Sequence, residues 1–249
     1  MAVKQIESHK LRVVIFDLDD TLRASYPHPN KAFADFVSTQ DVELDEDARL
    51  NAYRWSHGYW ASSTTLLDDY HKHQGYEEPF WQNYTRRHLE ALGLNGEQVD
   101  HISPVVHAFM RDDYKPESRL VPQCLEILDG LRRTGFMVGL LTNRTRPIYK
   151  EMLELGLDHH LDFFLTGGQL EAFKPAPEIF AKTLDLIGFS PAETLYVGDN
   201  FFADIIGAQK ADIQAVLIDP LGLYPEADCP SIRALTEISE LLGIGALSH

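Results

Sequence analysis

Short apolar runs alternate with amphipathic stretches from Leu120 onward, and this alternation constrains the fold more than any other feature of the chain. Residues 122–134 read as a helix stopped by Gly135, and 136–141 as a buried strand. Residues 146–155 read as a helix closed by Gly156, 161–165 as a strand, and 177–187 as a helix ended by Gly188. A strand at 194–197, a helix at 203–211, a strand at 213–218 and a last helix at 232–242 complete the pattern. Strands separated by helices are joined by crossovers, so neighbouring strands run the same way. The expected core is α/β, a doubly wound, Rossmann-like parallel sheet with helices on both faces. The run Arg12-Val13-Val14-Ile15 has the same β-branched character and joins that sheet.

Residues 23–116 differ. After a polar loop at 23–30, helical spacing dominates and no convincing strand is found. Phe33, Phe36 and Val37 share one helical face, as do Phe80, Tyr84 and Leu92, with Trp81 and Leu89 beside them. Ile102, Val106, Phe109 and Met110 form another, with Ser103-Pro104 as its expected cap and first helical residue. This stretch holds all three tryptophans and seven of the ten tyrosines. The expected organisation is an α/β core of residues 1–22 and 117–249 carrying an inserted α-helical domain of residues 23–116.

Composition narrows the function. A formal net charge of -16, spread along the chain, lacks the basic footprint of a nucleic-acid binder. No apolar run is long enough for a membrane span, and residues 1–10 have no apolar core like that of a signal peptide. The two cysteines, Cys124 and Cys229, form no metal-type pair and suit a reducing compartment. A cytoplasmic protein without nucleic-acid or membrane partners is expected; nothing in the sequence sets its oligomeric state.

Four sets of polar residues fall at, or just beyond, the carboxyl ends of the expected strands. Asp17 and Asp19 follow the first strand, within Phe16-Asp17-Leu18-Asp19-Asp20-Thr21-Leu22. Thr142-Asn143 follow 136–141, and Lys174-Pro175 lie in the loop beyond 161–165. Gly198-Asp199 follow 194–197, with Asp204 five residues further on. Each set alone is ordinary turn or cap chemistry. In a parallel sheet all four reach one edge, where open α/β sheets bind ligands.

These motifs resemble those of the haloacid dehalogenase-like hydrolase superfamily. Residues 16–22 look like its D-x-D-x-T motif, Leu141-Thr142-Asn143 like its second, Lys174-Pro175 with Pro177, Ile179 and Phe180 like its third, and residues 198–204 like its G-D-x-x-x-x-D motif. An insertion after the first motif, forming a cap, is also typical of the family. The resemblance implies Asp17 as nucleophile and Asp19 as the acid and base that handles the leaving-group proton. It implies Mg²⁺ held by Asp17, Asp199 and the Asp19 backbone carbonyl. Lys174 would neutralise both Asp17 and a phosphate oxygen, while the Thr142 hydroxyl and the Asn143 backbone N–H hold other phosphate oxygens. Asp204 would orient water on the metal, and Thr21 would support the site. Asp20 stands where many relatives have glycine. Relatives that cleave carbon–halogen bonds lack the second aspartate, so Asp19 favours phosphoryl transfer.

These residue types suit that chemistry. Uncatalysed phosphate monoesters hydrolyse so slowly that enzymes accelerate the reaction by up to ~10²¹-fold. A carboxylate approaching a phosphate meets like-charge repulsion of about 4 kcal/mol at ~4 Å and an effective dielectric of ~20. A dication with oxygen ligands offsets it. The expected function is therefore a Mg²⁺-dependent phosphatase of small phosphorylated metabolites, working through an aspartyl-phosphate. A phosphomutase of sugar phosphates and a catalytically silent binding relative are the alternatives. Arg144, next to the second motif, is a candidate substrate contact, although an exposed loop arginine is ordinarily just solvated. Tyr26, His28, Arg54 and His57 are candidates for selecting the substrate. His71 and His73, two apart on a helix, do not face one another and read as a solvated pair.

Overall fold

The structure, a computed structural model, describes residues 6–244. In chain order come β1 (Val13–Phe16), β2 (Arg23–Tyr26), α1 (Pro29–Ser38), α2 (Glu46–Trp60), α3 (Thr64–Lys72), α4 (Glu78–Ala91) and α5 (Gly96–Ala108). There follow β3 (Glu117–Leu120), α6 (Cys124–Arg133), β4 (Met137–Thr142), α7 (Tyr149–Leu155), β5 (Phe163–Thr166), α8 (Gly167–Leu170) and α9 (Pro177–Ile187). The last elements are β6 (Thr194–Gly198), α10 (Ile206–Lys210), β7 (Gln214–Ile218), β8 (Ser231–Ile232) and α11 (Ile238–Leu241). The chain divides into two compact units, one built from the residues up to Ala24 and from Arg119 onward, the other from Ser25–Ser118. β2 and β3 pair as a two-stranded ribbon through which the chain passes between them.

The first unit is built on a six-stranded sheet of order β5-β4-β1-β6-β7-β8, parallel throughout. All four residues of β1 are buried. Successive side chains point to opposite faces, so both faces of the sheet are covered there. Val14 sits in register with Val138 and Leu195, and Phe16 with Leu140 and Val197. These six join Leu128 and Leu131 of α6 and Met152 of α7 in one apolar cluster. Each such side chain, fully buried, contributes roughly 1.5–3 kcal/mol. From β1 the chain moves outward to β4 and β5, then returns past β1 to β6, β7 and β8. The reversal places Asp17, the residue after β1, at the switch point where open α/β sheets bind ligands.

The second unit is helical. Phe33 and Val37 of α1, Leu89 of α4, and Val99, Ile102 and Val106 of α5 form one core. Tyr59, Leu66 and Phe80 form another, against Trp55, Trp60 and Tyr84. Buried Asp69 ties α2, α3 and α4 together, accepting from the Tyr59 hydroxyl at 3.0 Å and from Arg87 Nη2 at 2.9 Å.

His88 of α4 makes the stability of this unit depend on pH. Its side chain is buried and stacks on Phe33 at 4.0 Å, and its Nδ1 has no hydrogen-bond partner among the described residues. Burial pulls its pKa down to about 3. An unfolded histidine protonates near 6.5. Between these values the unfolded chain binds more protons, so His88's contribution is complete above pH ~6.5 and is lost as pH falls toward 3. Lowering the pH from 7 to 5 is predicted to destabilise the protein by about 2 kcal/mol through this group. Denaturant melts of His88→Leu should lack that increment; an unchanged acid sensitivity would contradict the assignment.

Several elements differ from the sequence expectation. The stretch 232–242 is not one helix: Ile232 pairs with Ile218, and α11 covers only Ile238–Leu241. Glu237 Oε1 accepts from the N–H groups of Arg233 and Ala234 in the intervening turn. Pro104 is not a helix start but lies inside α5, which begins at Asn95 with a reciprocal Asn95–Gln98 capping box. The helix expected from residue 146 begins at Tyr149, because Pro147 disfavours a helical residue before it. Residues 23–26, expected as loop, form β2. The helix expected at 203–211 is present but starts earlier, as a wider, π-type turn over Phe201–Ile205 that runs directly into α10.

Candidate active site

Lys174, in the loop after α8, is the hub of the carboxyl edge of the sheet. Its buried ammonium donates to Asp17 Oδ1 at 2.6 Å, Asp204 Oδ1 at 2.6 Å and the Tyr196 hydroxyl at 2.9 Å. Tyr196, from β6, donates onward to the Leu141 carbonyl at 2.9 Å. Burial works against the ammonium, but Asp17 and Asp204 hold Lys174 protonated well above its ordinary range. The loop is fixed by Asn143, whose Oδ1 accepts from Lys174 N at 2.7 Å and whose Nδ2 donates to Lys174 O at 2.9 Å. The end of β4 thus positions the lysine.

Asp204 arrives through the turn after β6. Asn200 opens that turn, its Oδ1 accepting from Phe202 N and Ala203 N. Asp204 Oδ2 accepts from Asn200 N at 3.0 Å, so both Asp204 oxygens are engaged by protein donors. A Cβ on Gly198 would lie 2.3 Å from Asp204 Oδ2, which is why this position takes glycine. Asp199, next along, accepts from the Thr21 hydroxyl at 3.3 Å.

Asp17, Asp199 and Asp204 offer carboxylate oxygens that all lie within 4.8 Å of one another. Burial pushes the Asp199 carboxyl well above its ordinary range, with Asp20, Asp204 and Asp17 adding to the effect. Burial likewise pushes Asp17 up to about 7, opposed by Lys174. One lysine among three crowded carboxylates leaves negative charge uncompensated. An oxygen-only donor set of this kind fits a hard divalent cation.

Asp19 has other partners. Its carboxylate takes a two-pronged contact from Arg144, Nε to Oδ2 and Nη2 to Oδ1, each 2.9 Å, and a further hydrogen bond from Arg23 Nη2. Burial works against ionisation, yet the two guanidiniums hold this carboxyl below the usual carboxylate range. Asp20 has φ 58°, the left-handed conformation that glycine adopts freely and aspartate tolerates. Thr142 is buried at the end of β4, in register with Thr166.

The sequence pattern of haloacid dehalogenase-like hydrolases matches residues 11–212. The chain belongs to this family. Two relatives extend the match along this hydrolase. One is the phosphoserine phosphatase of Thermus thermophilus, 30% identical over 87% of this chain and 91% of its own. Another is the ribulose-1,5-bisphosphate 5-phosphatase of Halopiger xanaduensis, 31% identical over 83% of this chain and 84% of its own. The solved HAD-hydrolase YfnB of Bacillus subtilis shares the fold, with TM-score 0.58 and 20% identity over 94% of this chain and 99% of its own.

Of the residues expected from the hydrolase motifs, the structure hydrogen-bonds Lys174 to Asp17 and Asp204 and Thr21 to Asp199, and brings the carboxylate oxygens of Asp17, Asp199 and Asp204 within 4.8 Å of one another. Asn143 is tied to this group through the Lys174 backbone. The Asp19 side chain is hydrogen-bonded to Arg144 and Arg23, and its charge adds to the upward push on Asp17. Tyr196 and Arg23 were not expected here. Tyr196 sits between Leu195 and Val197 and reads as core; the only sequence signal is that a buried tyrosine hydroxyl must find a partner. Arg23 lies in a stretch read as loop, four residues after the aspartate it holds. In the helical unit, His28 caps α1 through Nδ1 and meets the Tyr53 hydroxyl at 2.8 Å, while Asn30 reaches Ser56 Oγ at 2.9 Å.

Proposed function

We propose that this hydrolase is a Mg²⁺-dependent phosphatase of small phosphorylated metabolites, acting through a phosphorylated Asp17. The observation that carries the reading is the buried contact of Lys174 with Asp17 and Asp204 beside Asp199, at the switch point of the sheet. The enzyme is a hydrolase acting on phosphoric monoesters.

Asp17 attacks phosphorus, forming the aspartyl Oδ–P bond as the ester O–P bond breaks. Asp19 is held as a carboxylate by Arg144 and Arg23 in the free enzyme. It takes up a proton when substrate binds, gives that proton to the departing oxygen, and then takes a proton from the water that attacks the phosphorylated Asp17. That second displacement releases inorganic phosphate, frees the Asp17 carboxylate and leaves Asp19 protonated again. Lys174 stays protonated throughout and faces both the nucleophile and a phosphate oxygen. The Thr142 hydroxyl and the Asn143 backbone N–H hold the remaining oxygens, the positioning on which phosphoryl transfer depends. Asp17, Asp199 and the Asp19 carbonyl would hold Mg²⁺, which would supply the positive charge that offsets repulsion between carboxylate and phosphate. Asp204 holds Lys174 and the turn at Asn200 in place, and Thr21 orients Asp199. The helical unit serves as the cap that selects the leaving group, with Tyr26, His28, Arg54 and His57 as its candidate contacts.

The named relatives take different phosphorylated substrates, so the reading stops at the class. No helix among the described residues is long and apolar enough to cross a membrane, and Cys124 and Cys229 are both free and buried. A cytoplasmic setting agrees with that cysteine chemistry. The test is phosphate release from a panel of phosphomonoesters before and after chelation. Removal of divalent cations should lower turnover at least ~10²-fold, as loss of charge stabilisation of this kind does, and added Mg²⁺ should restore it. Full turnover by the chelated enzyme would contradict the reading.

A further inference from the structure

We propose that Arg144 recognises a second anionic group on the leaving group of the substrate, a carboxylate or phosphate close to the ester oxygen. The proposal rests on the phosphatase reading above and deepens it by narrowing the substrate class.

The observation is the occupant of Arg144's fork. A guanidinium presents parallel donors that match an oxyanion two at a time. Here Nε and Nη2 of Arg144 meet Oδ2 and Oδ1 of Asp19, each at 2.9 Å, with Glu151 Oε1 3.7 Å from Nη2. The carboxylate of Asp19 thus fills an oxyanion site. Arg23 holds the same carboxylate independently, from the same chain segment. Asp19 therefore keeps a cationic partner when Arg144 turns away, and Arg144 is the exchangeable one of the pair. The two side chains of this contact are each 38% exposed, against 3% for Lys174, so a ligand can reach the fork without unpacking the core.

The backbone beneath Arg144 is fixed. Asn143 is bound on both polar atoms by Lys174, and the Arg144 carbonyl accepts from Gly168 N at 3.1 Å. A Cβ at Gly168 would fall 1.9 Å from the Thr145 carbonyl oxygen, so this close approach of the two loops requires glycine. A guanidinium on a clamped loop next to the catalytic lysine is a built element of the site.

Position then sets the ligand. The leaving oxygen must come within a hydrogen bond of Asp19, and Arg144 is itself one hydrogen bond from Asp19. Two such bonds span at most about 5–6 Å. An oxyanion three to five bonds from the ester oxygen fits that span, while a neutral alkyl leaving group leaves Arg144 on Asp19.

The experiment compares kcat/KM for 2-phosphoglycolate and ethylene glycol bisphosphate with that for ethyl phosphate, in the wild type and in Arg144→Gln. The ratio of the carboxylate or of the bisphosphate ester to ethyl phosphate should fall about 10- to 100-fold in the variant, the size of a charge-assisted bidentate contact. The arm that falls identifies the anion, and Arg144→Lys should recover only part of the ratio. Ratios unchanged within about threefold in both arms overturn the proposal and leave the phosphatase reading intact. A binding measurement gives an independent decision even without turnover. In an Asp17→Asn background, Asp19→Asn removes the carboxylate that Arg144 now holds, so calorimetric affinity for whichever of the two anionic esters Arg144 selects should rise; equal or weaker affinity for both overturns the proposal.

Discussion

Asp17→Asn is expected to lower kcat for any phosphomonoester substrate by at least ~10³-fold, the scale on which removal of a covalent nucleophile acts. The exchange is isosteric and keeps an oxygen for Lys174, which also retains Asp204 and the Tyr196 hydroxyl. The folded state should survive it, and KM should change far less than kcat. The distinction matters because the Asp17 carboxylate is both buried and paired, so a loss of activity could otherwise be mistaken for a loss of fold. Steady-state kinetics beside a thermal melt separate the two. A variant that keeps a tenth or more of wild-type kcat, with an unchanged melt, would exclude Asp17 as nucleophile.

The second large effect combines activity with stability. Lys174→Met removes the ammonium that contacts both Asp17 and Asp204, each buried. Breaking a buried ion pair by deleting one partner typically destabilises by about 3–5 kcal/mol, because the remaining charge is left uncompensated. Here two carboxylates are left, next to Asp199. Denaturant titration at neutral pH should show a loss in that range, together with activity reduced at least ~10³-fold by loss of charge stabilisation at the reacting phosphate. Adding Asp204→Asn to Lys174→Met should return part of the stability and none of the activity, since the repulsion is relieved but the ammonium is still missing. Additive stability losses in the double variant would contradict the coupling that the 2.6 Å contacts imply.

Much of the fold was legible because the constraint is periodic. Buried parallel strands need unbroken apolar runs, and 13–16, 138–141, 195–197 and 215–218 are such runs. That Asp17, Lys174, Asp199 and Asp204 meet was legible because a parallel sheet carries the strand ends, and the loops that follow them, to one edge. Failures came where a local signal competed with tertiary pairing. Ile232 has helical-looking neighbours but is drawn to the edge of the sheet by Ile218. Pro104 looked like a first helical residue, yet the Asn95–Gln98 box had already started the helix and packing of Val99, Ile102 and Val106 carries it through. β2 escaped notice because Arg23–Tyr26 is polar and its partner lies some ninety residues away, a separation local pattern does not carry. The partners of Asp19 were invisible for the same reason: Arg144 is 125 residues away, and only the sheet brings it to Asp19.

The central claim is that the phosphoryl group passes through Asp17. Rapid acid quench of wild-type enzyme turning over a phosphomonoester with Mg²⁺, followed by peptide mass spectrometry, tests it directly. The account predicts phosphate on the peptide containing Asp17 at early times and none in Asp17→Asn. Phosphate on a different residue, or undiminished turnover with no phosphorylated enzyme at any quench time, would contradict it.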